Sequence, residues 1–294
     1  MPNPDPNIVA LLKLLADDHP PVVEAARAKL IEFGEQVVPL LEETARGHED
    51  PKVRVEAKGI LEKIRLVGVN KEWEKAAQLP DDQIDLEKGV FLLAKVCYPE
   101  VDLKLYQHQL DDLADKIRPK LKSGALPKNQ LAILNRFLFR DERFRGNWVD
   151  YFDPQNSYLN RVLDRKLGIP ISLSVLYLLI SHRLNLDVQG AGIPGHFMVK
   201  YKDSKDEFFV DVFNEGRFLS RPECVQFMVE AGYPYQVDFL DGIGPRAILA
   251  RMLRNLILIY VERQEETLEK ALTQFLEALY PAGGPEDFSE GVVE

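Results

Sequence analysis

The apolar residues of the first third of the chain recur at helical spacing. "PPVVEAARAKLIEF", starting at Pro20, aligns with "PKVRVEAKGILEKI", starting at Pro51, so that Val22 matches Val53, Ala26 matches Ala57, Leu30 matches Leu61 and Phe33 matches Ile64. The matched positions fall at i, i+4, i+8 and i+11, which is one face of a helix. Each segment opens on Pro, whose missing N–H costs nothing at a helix start. The pattern predicts a layer of repeated helix pairs over 1–68 that packs on the helices of 82–140; a plain helical bundle is the competing reading.

Residues 67–83 read as a connection with a turn at Pro80-Asp81-Asp82, and 82–140 read as all helix within the segment 69–140. "DLEKGVFLLAKVCYP" is an apolar helix stopped by Pro99, and "LKLYQHQLDDLADKIRPKLK" carries Leu103, Tyr106, Leu110, Leu113 and Ile117 on one stripe. "PKNQLAILNRFLF" is a third helix with Pro127 in its first turn. Beyond 140 the period changes. A helix is predicted near 156–166, with Asn156 or Ser157 as its cap and Gly168 as its end. A near-continuous apolar helix runs from Pro170 to about Leu184. Three strands are predicted at "VQGAGI", "HFMVKY" and "EFFVDVF", with turns at 193–195 and 203–206. Helices at 221–231, 245–262 and 265–279 complete the pattern, and a polar tail over 283–294 reads as disordered. The predicted fold class is therefore α+β: mostly helical, with one small antiparallel sheet between 186 and 240. The segments are 1–68, 69–140, 141–240, 241–282 and the tail at 283–294.

Composition narrows the function classes. The 294 residues carry a formal net charge of -10. That balance opposes nucleic acid and anionic membrane as main partners, since both demand a basic face. The two cysteines, Cys97 and Cys224, form no CxxC pair, and the five histidines show no HxxxH or HExxH spacing. No metal and no cofactor is expected. "MPNPDPN" has neither the basic nor the apolar region of a signal peptide, and no apolar run reaches membrane-spanning length. The expectation is a reduced, cytoplasmic protein.

The candidate chemistry centres on His196 and Asp211. His196 opens the strand after Pro194-Gly195, and Asp211 sits among Phe209, Val210, Val212 and Phe213. A carboxylate in so apolar a run needs a partner. Across adjacent strands it would hold the imidazole in one tautomer and stabilise its cation. The alternative is a structural histidine with a strand-end aspartate. Ser172 and Ser174, in the first turn of the helix from Pro170, are the candidate nucleophiles; first-turn serines also serve simply to satisfy free N–H groups. Cys224 and Cys97 read as core thiols. Arg140, Arg143 and Arg145, with Asp150, Tyr151 and Asp153, read as a salt-bridged surface. Arg246, Arg251 and Arg254 read as the cationic side of a core-docking helix.

Three blocks carry a family resemblance: "NSYL" with "GIPISLS", then "PGHF", then "DVFNEG". Over roughly 82–262 the chain resembles the SirB1-type transglutaminase-like proteins, and 1–68 resembles a short HEAT-like solenoid. The first resemblance implies a papain-like transglutaminase core, with a catalytic Cys heading the central helix, a His on the next strand and an Asp on the strand after. His196 and Asp211 match the last two. The first departs: Pro170 stands where the thiol would be. Two readings remain open. One is a non-catalytic binding or scaffold module whose partner is another protein or peptide. The other is a hydrolase or acyl-transfer enzyme using Ser172 or Ser174 with His196 and Asp211.

Overall fold

The computed structural model describes residues 5–234 and 236–281. They form two compact units that divide between Glu72 and Trp73. The first is helical, with α1 (Pro6–Leu14), α2 (Pro20–Phe33), α3 (Val38–Gly47) and the start of α4 (Pro51–Ala77). Asp5 caps α1 by accepting the Asn7 N–H at 2.8 Å. Of the aligned positions, Ala26, Leu30, Val53, Ala57, Leu61 and Ile64 enter one core. Val22 is only half-buried, and its neighbour Val23 takes the inward place. Arg27 on α2 donates to Glu56 on α4 at 2.6 and 3.0 Å, joining the two faces across their partly exposed edge.

The second unit holds Trp73 at its start. The ring stacks on Phe275 at 4.6 Å and its Nε1–H donates to the Phe275 carbonyl at 2.9 Å. Then come α5 (Leu86–Cys97), α6 (Leu103–Ile117) and α7 (Pro127–Asn135), the first two capped by Asp85 and Asp102. α7 runs on into a π-helical turn over Arg136–Asp141, where the Glu142 N–H reaches back five residues to Phe137 O at 2.8 Å. Next along the chain are β1 (Arg145–Gly146), α8 (Leu159–Arg165), β2 (Leu167–Gly168) and α9 (Pro170–Arg183). β3 (Gln189–Ala191), β4 (Met198–Lys202), β5 (Glu207–Asp211) and β6 (Arg217–Leu219) form an antiparallel sheet in chain order. α10 (Arg221–Glu230), α11 (Pro245–Glu262) and α12 (Glu266–Leu279) end the described chain.

α9 is the centre of this unit. Every residue from Pro170 to Ser181 is buried, because α6, α8, α11 and strands of both sheets pack around it. An apolar surface all round the helix demands such enclosure. On one face of the antiparallel sheet Met198 and Phe209 pack with Cys224 and Met228 of α10; Val199 and Val210 alternate to the other face. No helix among the described residues is long and apolar enough to cross a membrane.

The architecture is the α+β, mostly helical one expected, with local departures: α4 runs on as helix to Ala77, through the first part of the connection expected over 67–83. α8 starts at Leu159, later than 156, after a 3₁₀ turn over Pro154–Asn156. Asn156 does not cap it: its Oδ1, the atom a cap would use, accepts from Asn147 Nδ2 at 3.0 Å, while its Nδ2 donates to the carbonyls of Asp150 and Tyr151. Lys166, in the left-handed conformation at φ 59°, ends α8 in place of Gly168, which lies in β2. The strand expected to open at His196 begins at Met198. β6 and the parallel β1–β2 pair lie beyond what periodicity predicts, because two or three residues are too few to show a period. The tail expected over 283–294 lies outside the described residues.

Candidate functional site

The turn before β4 presents the histidine. Gly195 takes φ +70°, open to glycine at little cost, and the His196 N–H closes the turn on Ile193 O at 3.2 Å. From α11, the Arg251 guanidinium reaches the same turn, donating to Ile193 O at 2.5 Å and His196 O at 3.1 Å. Arg251 is therefore not part of an exposed cationic side: it is 8% exposed and braces the backbone that carries the imidazole. Arg246 likewise spends its guanidinium on the carbonyls of Ala77, Leu79 and Leu279.

His196 Nε2 lies 2.9 Å from Asp211 Oδ1, and both residues are buried. Asp211 also accepts the Asn214 N–H at 3.2 Å and Asn214 Nδ2 at 2.6 Å. Burial pushes the Asp211 carboxyl up. The hydrogen bond and charge of His196, with the two Asn214 donors, more than offset that and hold it below the ordinary carboxylate value. A carboxylate only accepts, so Nε2 carries the proton. Nδ1 is left as the nitrogen with no hydrogen-bond partner among the described residues.

Aromatic rings surround the pair. Phe213 and Phe227 lie 6.1 and 5.4 Å from the imidazole, centre to centre. Trp148 and Tyr151 pack on Phe213 at 4.4 and 6.0 Å. Phe213 also covers Gly146, where a methyl group would come within 2.5 Å of the ring. Trp148 is 68% exposed and Val149 99%, so the loop between β1 and α8 forms an open apolar rim beside the pair. Burial pushes the Tyr151 hydroxyl up, and the Arg251 charge partly offsets this. Sequence reasoning missed this rim. The run "NWVDYF" holds the signal, but its charged residues draw attention from its rings.

The candidate nucleophiles are differently placed. Ser172 Oγ accepts the Ile169 N–H at 3.1 Å and donates to Asn156 O at 2.5 Å. It is a fastening between α9 and the loop before α8, and its hydrogen-bonding capacity is used there. Ser174 Oγ is buried and has no partner among the described residues. Neither hydroxyl hydrogen-bonds to His196, the contact that activates a serine. Cys224 Sγ lies 3.9 Å from Met198 Sδ, and burial pushes its thiol up to about 12. Cys97 Sγ accepts from Tyr260 OH at 3.6 Å. Among the described residues no group of three or more His, Cys, Asp or Glu is placed to hold a metal ion.

Comparison with known proteins gives the lineage. The family model described as transglutaminase-like superfamily matches residues 104–254, a little over half of the chain. The UPF0162 protein of Xylella fastidiosa (strain Temecula1) is 32% identical over 198 residues, covering 64% of this chain and 69% of its own. The chain belongs to the transglutaminase-like superfamily, among the UPF0162 proteins. A UPF0162 protein of Vibrio cholerae is 24% identical over 204 residues, covering 68% of this transglutaminase-like chain and 75% of its own. Human F-box only protein 21 is 27% identical over 259 residues; these cover 76% of this chain but only 41% of that longer one. No solved structure matches. The matched region runs from α6 into α11 and includes His196, Asp211 and α9.

Proposed function

We propose that this chain is a non-catalytic transglutaminase-like protein of SirB1 type, a module that binds a protein or peptide beside His196 and Asp211. One observation carries the reading: His196 Nδ1, the nitrogen that a nucleophile would have to reach, has neither a hydroxyl nor a thiol hydrogen-bonded to it among the described residues. Ser172 is committed to Asn156 and Ile169, and the helix opens on Pro170. The exposed rings of the rim supply what a binding surface uses, large rigid apolar area at low entropic cost. A cytoplasmic setting agrees with two unpaired thiols.

Treating the native protein with a fluorophosphonate and with iodoacetamide, and mapping adducts by mass spectrometry, tests this. No rapid stoichiometric adduct is expected at Ser172, Ser174 or Cys224. Rapid labelling of either serine that vanishes in His196→Ala would establish the Ser-His-Asp enzyme instead.

The segment 1–68 is proposed as a HEAT-like layer, succeeded by helical, α+β and C-terminal helical segments at 69–140, 141–240 and 241–282. The burial of Ala26 with Ala57 and Leu30 with Leu61 supports the repeat. Deletion of residues 1–66 is expected to leave a soluble chain with one cooperative thermal transition, since Trp73 and its Phe275 partner stay together. A truncated chain with no transition would show one indivisible core.

A further inference from the structure

We infer that the π-helical turn and β1 form a docking strip for an acidic peptide whose apolar residue enters the rim at Trp148. This rests on the proposed binding role and adds the chemistry of the partner. From Lys116 to Arg145 the chain holds nine Lys or Arg against two acids, in a protein of net charge -10. All nine are exposed. The two acids, Asp141 and Glu142, are taken by lysines: Lys120 Nζ lies 3.5 Å from Asp141, and Lys116 and Lys166 each lie 3.3 Å from Glu142. Arg136, Arg140, Arg143 and Arg145 are left with no ion-pair partner among the described residues. The salt-bridged surface expected here is thus, at its arginines, an unneutralised one.

Lys122 and Lys128 also lack an ion pair among the described residues, Lys128 lying over the Phe208 and Phe218 rings, but the four on the turn and β1 are all arginine, whose planar fork donates two parallel hydrogen bonds to a carboxylate. Arg136 and Arg140 are four apart on the turn, and Arg143 takes φ 63°, a conformation rare for a side-chain-bearing residue. Arg145 lies in β1, one residue before Gly146, which Phe213 covers, and three before Trp148. The basic strip therefore runs directly into the open rim beside His196. A partner must supply several carboxylates and at least one apolar side chain on a short segment. An extended acidic peptide meets only the strip. A nucleic acid or an anionic bilayer spreads its charge over a larger area and meets the acidic remainder of the chain as well.

The probe is a short fluorescein-labelled peptide of alternating Asp and Glu with a central Phe, monitored by fluorescence polarisation with the full chain. Binding is expected, weakening as salt rises from about 50 to about 300 mM. The exposed double variant Arg140→Glu/Arg143→Glu should bind about tenfold more weakly or worse, with an unchanged circular dichroism spectrum. Trp148→Ala should weaken binding of this peptide but not of one with Ala in place of Phe. Arg136→Ala/Arg145→Ala gives a second, milder test. Absence of binding, binding indifferent to charge reversal, or tighter binding to phosphatidylserine vesicles or single-stranded RNA than to the peptide would overturn the inference. A peptide that binds with the arginine dependence and then becomes covalently attached supports the acidic partner and overturns only the non-catalytic reading.

Discussion

Replacing Arg251 by Met destabilises the protein by about 1–3 kcal/mol, the cost of leaving the buried His196 carbonyl without its side-chain donor and the Ile193 carbonyl with the His196 N–H alone. The guanidinium serves the carbonyls of Ile193 and His196 from α11, so one side chain ties the last third of the chain to the turn that aims the imidazole. Met keeps most of the volume and removes the donors. Lys should recover only part of the loss, because a single ammonium cannot reproduce the fork. Gly192 fits this arrangement: a methyl group there would meet Arg251 Nη1 at 2.6 Å. Guanidinium unfolding checks the stability, and the imidazole resonances of His196 report whether the ring has moved. A change below about 0.5 kcal/mol, within the range of ordinary surface substitutions, would show that water replaces the guanidinium freely.

Replacing Asp211 by Ala costs on the order of 1–3 kcal/mol at neutral pH, the penalty for stranding a buried polar partner. Three donors lose their acceptor together: His196 Nε2, Asn214 N and Asn214 Nδ2. The effect has a pH signature whose sign is set by the lowered Asp211 carboxyl. A carboxyl that is more acidic when folded binds fewer protons than in the unfolded chain. Its stabilisation is therefore complete above the unfolded value of about 3.9 and fades as pH falls through the folded value. The stability gap between wild type and Asp211→Ala should narrow toward acid below about pH 4. Unfolding curves at neutral pH and at successively lower pH measure it. A gap that stays constant down to about pH 2 would mean that the charge of Asp211 contributes nothing and only its shape matters.

Much of the fold is legible in the sequence because periodicity reports enclosure. The near-continuous apolar run from Pro170 to Ile180 has no side left for solvent, and the helix it forms has none. The carboxylate inside "FFVDVF" signals a partner for the same reason, and His196 supplies it. Asn156 misleads because a local cap and a long-range fastening use the same amide; only the fold brings Ser172 to its carbonyl and the 150–151 backbone to its side chain. Arg251 misleads because one buried cation on an apolar helix looks, in one dimension, like a residue at its edge. The π-helical turn leaves no composition signal at all, since it differs from α-helix in a single hydrogen-bond step.

The enclosure of α9 also bears on how such a chain can change over generations. Twelve consecutive positions touch packed neighbours on every side, so almost any exchange there opens a void or forces a clash. Ser172 is further fixed, because freeing its hydroxyl for chemistry would unfasten Asn156 and with it the loop that carries Trp148. The loop tip at Val149 bears no such constraint and can accept substitution almost freely. Variation is channelled accordingly. If the rim binds a ligand as proposed, single steps there would alter its preference, whereas rebuilding the head of α9 would require several coordinated changes at once.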